Sequence, residues 1–189
     1  MSKKHIFILG LLIAGAASWR VVNHHYGFAY NLELVTAASV LAALRYSRLT
    51  AVVVPLTAMA VSDAIIGNSH IFIATWGSFA IIGAGATLLR RWASKPGQQV
   101  AGAAVFAVVS STLFYLVTNA GVWLQGYYAP GLSGLVASLA AGLPFYKTML
   151  LGNLVFVPLT VASYQVYAKY QPSSRMIVHY LTNLTYYRA

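Results

Sequence analysis

The chain has no cysteine and only two acidic residues, Glu33 and Asp63, among 189. The first absence excludes disulfides, thiolate metal ligands and cysteine nucleophiles. The second argues against carboxylate-pair hydrolysis, carboxylate metal sites and acid-based proton relays. Charged residues of both signs make up 7% of the chain, against about 25% in an ordinary soluble domain. Also missing are an HExxH pair, a Walker loop and a nucleophile elbow, so the sequence reads as a non-enzyme with no cofactor and no metal site.

What is present is apolar. Hydrophobic residues account for 59% of the chain and mean hydropathy is +0.71. Such a composition lacks the polar surface for solubility and predicts an all-α integral membrane protein. Crossing the roughly 30 Å hydrocarbon layer takes about 20 helical residues. Apolar windows place six transmembrane helices near 5–22, 30–46, 49–66, 71–91, 101–125 and 148–168, within one domain over 1–170. The second window is the weakest, because Asn31 and Glu33 stand at its start.

The formal charge of +10 is a matter of placement. With six spans, Lys3, Lys4, Arg45, Arg48, Arg90, Arg91, Lys95, Lys169, Arg175 and Arg188 fall on one face, and Arg20 and Lys147 on the other. This is the positive-inside bias, which predicts both termini in the cytoplasm and no nucleic-acid partner. The opening MSKKHIFILGLLIAGAASW has the layout of a cleavable signal peptide. It is read as a retained first span, because the later helices need it for packing.

Linkers on the basic face, YSRL and ASKPGQQ, are short and leave no room for a soluble catalytic domain. On the opposite face, residues 20–30 form a polar, aromatic loop and GNSH at 67–70 a tight turn. The segment 126–147 is expected to lie on or dip into the membrane, with Pro144 ending it. Were it to span, the C-terminus would move outside. The 171–189 tail is basic and aromatic. Ile177, Tyr180, Leu181, Leu184 and Tyr187 fall at helical spacing, which suits either an amphipathic surface helix or a loose tail anchored by tyrosines. The sequon at Asn183 falls on this cytoplasmic tail.

Small residues four apart, Gly10, Ala14 and Ser18 in the first span and Ala103, Ala107 and Ser111 in the fifth, make stripes for close helix packing. Each stripe serves either the bundle itself or a partner membrane protein. Polar groups inside spans usually face an interior or a cavity. Asp63 ends the third span; Thr112, Tyr115, Asn119 and Trp123 share one face of the fifth; Tyr146, Lys147 and Asn153 open the sixth. Their convergence predicts an outward-facing pocket, apolar with a few polar anchors. The competing readings are that Trp123, Tyr127 and Tyr128 form an interfacial belt, and that Asp63 pairs with Lys147 or Arg20 to hold the loops. Asn68 or Ser69 serves equally as a cap for the fourth span. His24 and His25 are adjacent and diverge on a helix, so they make a poor metal clamp.

The stretch PLTAMAVSDAIIGNSHIFIATWGSFAIIGAGATLLRR carries a P-L-x-x-x-x-x-S-D-x-x-x-G pattern, an aromatic-Gly-Ser-Phe helix and an arginine pair. The segment VTNAGVWLQGYYAPGLSGLVASLAAGLPFYKTMLLGN carries a T-N-x-G-V-W block and a Leu-Pro-Phe-aromatic-basic turn. With NLELVTAASVLAAL at 31–44, these resemble the substrate-capture (S) components of energy-coupling-factor vitamin transporters over most of the chain. The pattern departs after Asn31, where Leu32-Glu33-Leu34 replaces an aromatic and a proline, and at Asn153, where an acid is usual.

The resemblance implies a six-helix fold in the bacterial plasma membrane. It also implies a small-molecule nutrient as ligand, and docking on a transmembrane coupling subunit driven by ATPases. It assigns docking to Gly10, Ala14 and Ser18, and binding to Asn31, Asp63, Asn119, Trp123, Lys147 and Asn153. Cobalamin is one candidate, since related solitary components handle it; without cysteine, the protein ligand to cobalt would be a histidine, His70. The rival expectations are a structural or assembly membrane protein without ligand, and a free-standing secondary carrier.

Overall fold

The computed structural model describes residues 3–68, 70–89 and 96–170. Ser69, Arg90, Arg91, Lys95 and the 171–189 tail, with its amphipathic pattern, lie outside the described residues. The described chain is helical: α1 (Lys3–Tyr26), α2 (Val35–Arg45), α3 (Arg48–Ile66), α4 (Phe72–Ala86), α5 (Pro96–Leu124) and α6 (Leu132–Lys169). Four of these, α1, α3, α5 and α6, are long and apolar enough to cross a membrane. The other two, α2 and α4, are shorter apolar helices of 11 and 15 residues.

Local chemistry sets several boundaries. Ser47 caps α3 by accepting from the Thr50 amide at 3.2 Å, and Gly67 ends it at φ +83°. Asn31 takes a left-handed φ of +61°, a conformation asparagine tolerates better than most residues. The expected 30–46 span therefore begins only at Val35. At a rise of 1.5 Å per residue, α2 is about 16 Å long, roughly half the hydrocarbon thickness.

Loop 27–34 fills part of the remainder by folding back along α1. The Asn23 side chain holds it, donating to the carbonyls of Ala29 (2.8 Å) and Leu32 (3.1 Å) and accepting from the Ala29 amide. Trp19 donates to the Leu32 carbonyl as well, at 2.9 Å. At the far side of the loop, Leu32 abuts Gly152 of α6.

The largest departure from expectation is α6. Segment 126–147 does not form a separate surface element ended by Pro144. Residues 132–169 run as one helix with Pro144 and Pro158 inside it. An internal proline removes a backbone donor and costs about 3 kcal/mol. Packing against α5 holds the helix on both sides of Pro144. Before it, Ser138 donates to the Asn119 carbonyl (2.8 Å) and Tyr115 to the Leu139 carbonyl (2.7 Å). Beyond it, Tyr146 and Thr112 hydroxyls meet at 3.0 Å and Asn153 donates to Ser111 at 3.1 Å. The true connection is short, residues 125–131.

Buried small residues make the core. Ala37, Ala38, Ala42 and Ala43 of α2 pack with Ala51, Val54 and Ala58 of α3 and with Phe79, Ile82 and Ala86 of α4. At Gly83 a β-carbon would collide with the Ala51 carbonyl, so only glycine allows α3 and α4 to approach this closely. The two stripes of small residues part company. Ala103, Ala107 and Ser111 are buried inside the bundle, whereas Gly10, Ala14 and Ser18 are exposed along α1.

Candidate functional site

Two adjoining hollows open where α2 stops short, at the end of the bundle that carries Gly67. The deeper, of about 210 Å³, lies between α1, loop 27–34, α3, α4, α5 and α6. Arg20, Asn23, His24, Asn31 and Glu33 line it, above an apolar floor that includes Phe79, Phe114 and Met149. The second, of about 330 Å³, shares Arg20, His24 and Ile66 with the first and adds Asp63 and Asn68.

Asp63 is fully engaged. Its Oδ1 accepts from Arg20 Nη2 at 2.6 Å and its Oδ2 from Trp76 Nε1 at 2.8 Å, while Arg20 Nε donates to Ser62 Oγ at 2.7 Å. With the Asp63 side chain 8% exposed and that of Arg20 20%, this is a largely desolvated latch joining α1, α3 and α4. Of the two partners considered for Asp63, Arg20 is the one it meets. Lys147 instead projects from the exposed side of α6, well inside that helix rather than at the start of a span.

The polar face of α5 lies elsewhere. Thr112, Tyr115 and Asn119 face α6 in the seam described above, and Asn119 packs on Gly142, where a β-carbon would collide with it. Trp123 donates to the Ala129 carbonyl at 3.2 Å and so braces the 125–131 turn. Asn119 and Trp123 line neither hollow. His70 is exposed, and its carbonyl accepts from the Gln125 side chain. Among the described residues, no group of three His, Asp or Glu side chains stands close enough to hold a metal. Of the binding residues expected from sequence, Asn31 and Asp63 thus line the hollows, and Asn153 is buried behind them.

Glu33 was not among the expected binding residues. Its Oε2 accepts from the Thr36 amide at 2.8 Å and its Oε1 from the Thr36 hydroxyl at 2.5 Å, at the start of α2. The available signal was scarcity: one of only two acids, set inside an apolar stretch. Arg20, Asn23 and His24 carried a weaker one, as neighbours at the polar end of α1.

One protein-family model matches residues 1–175, a family of unknown function (DUF6580). The chain belongs to this family. No curated protein and no solved structure is significantly similar to it. Within this family member, then, the reading of function rests on the site itself: a lined hollow at one end of an apolar bundle, fixed by the Arg20–Asp63–Trp76 latch and the Asn23 clamp.

Proposed function

We propose that this protein is a six-span subunit of the bacterial plasma membrane that captures a small, ring-containing nutrient from outside the cell. The ligand sits in the hollows above α2, and the chain delivers it inward as the S components it resembles do, docked on a coupling subunit driven by ATPases. The observation that carries this reading is the pair of hollows. Together they reach the roughly 300–1,000 Å³ typical of small-molecule sites, with the same mix of apolar lining and a few polar groups. They also lie at the end of the bundle away from Lys3, Arg45, Arg48 and Lys169, which the positive-inside bias puts in the cytoplasm. In this orientation α2 and α4 are the two shorter spans.

The exposed Gly10, Ala14 and Ser18 stripe suits the docking role, since small residues let another helix approach closely. A β-carbon on Gly10 would touch nothing within 4 Å. A corrinoid ring system is much larger than either hollow, so cobalamin is not part of the proposal.

The test is to extract and identify small molecules from protein purified in mild detergent. A bound nutrient is expected from the parent and is expected to be lost from Ile66→Trp, which fills space that lines both hollows. Equal recovery from parent and variant would remove the hollow as the binding site. Repeated recovery of nothing from either would favour a purely structural bundle.

A further inference from the structure

We infer that the deeper hollow selects an organic cation, a protonated amine or positively charged ring, through the carboxylate of Glu33. The inference rests on the proposed function and names the ligand class for the same site. Glu33 is 6% exposed and lines the hollow. The hydrogen bonds to its oxygens come from the amide and hydroxyl of Thr36, the Asn153 amide and the Val35 backbone, none of which brings a positive charge. Burial pushes the Glu33 carboxyl above its usual range, and a cation seated beside it would restore the ionised form.

The only ion pair among the described residues is Arg20–Asp63. The one arginine in the wall is therefore neutralised by the other acid, and Glu33 is left without a counter-ion. An ionised carboxylate taken out of water is costly unless a cation meets it. Behind the hollow, Asn153 is itself short of a donor. Its amide also bonds Glu33, it is 1% exposed, and its Oδ1 has no hydrogen-bond partner. The floor of Phe79, Phe114 and Met149 favours a ligand with carbon around its charge over a bare metal ion. The two rings pack at 5.1 Å between centroids and present an aromatic surface to which cations are attracted.

The experiment compares benzylammonium chloride, benzyl alcohol, sodium benzoate and sodium chloride as probes, at equal concentration, by thermal unfolding of the full chain in detergent. At a tenfold excess over its dissociation constant, benzylammonium is expected to raise the melting temperature by about 3 °C more than any other probe. Glu33→Gln, which keeps an acceptor for the Thr36 amide, is expected to lose that difference. If benzyl alcohol or benzoate stabilises as much as benzylammonium, the hollow takes ligands without reading charge. This inference then fails while the proposed function stands. An equal shift with sodium chloride would make the site one for a bare ion and also overturn it. If no probe shifts even the parent protein, the inference falls, and copurification decides the function by itself.

Discussion

At the residue scale, the two acids do different work. Asp63 uses both oxygens on Arg20 and Trp76 and ties three helices together; Glu33 lines the hollow with no ion-pair partner among the described residues. Asp63→Asn would strand the Arg20 guanidinium in a largely dry site, a loss of about 3 kcal/mol. A clear fall in melting temperature is expected, and an unchanged one would mean that the latch carries no stability. Trp76→Phe removes a single donor and should cost less, about 1–2 kcal/mol in the same assay. The sequence marked Asp63 as unusual, because a carboxylate at the end of an apolar run needs a reason. It left the partner open, since Arg20 and Lys147 were both expected on the same side. Glu33 was as rare but less visible, for it stood in the weakest of the expected spans. Only the fold-back of loop 27–34 carries it inward.

At the element scale, spacing showed which residues share a helix face but not what that face meets. Thr112, Tyr115, Asn119 and Trp123 do fall on one side of α5. That side closes against the first half of α6, because residues 132–147 continue the last helix through Pro144. Proline usually marks a helix end, and here contacts with α5 outweigh that preference. The same contrast separates two glycines. Gly83→Ala would drive a β-carbon into the Ala51 carbonyl, a backbone atom that cannot swing aside, and should destabilise the α3–α4 contact by about 1–3 kcal/mol. Gly10 faces open space, so Gly10→Ala should leave the isolated protein as stable or raise its stability by up to about 1 kcal/mol. Thermal unfolding of the two variants side by side checks both; equal losses would contradict the packing described for each.

For the molecule as a whole, composition alone foretold a helical chain with several membrane-length segments, because 59% hydrophobic content leaves few other folds. The hollow was foreseen only in outline. It arises from the shortness of α2, and an apolar window that ran from 30 to 46 concealed that shortness. The proposal depends on the hollow being reached from outside the cell. The lack of native cysteine permits a direct measurement in otherwise unchanged protein. His24→Cys places a thiol at the mouth shared by both hollows, and Ser163→Cys places one on an exposed part of α6 near Arg45. With a membrane-impermeant maleimide, the thiol at position 24 is expected to be labelled in intact cells and the one at 163 only after the membrane is opened. Labelling in the reverse order would place the hollow on the cytoplasmic side and contradict capture from outside.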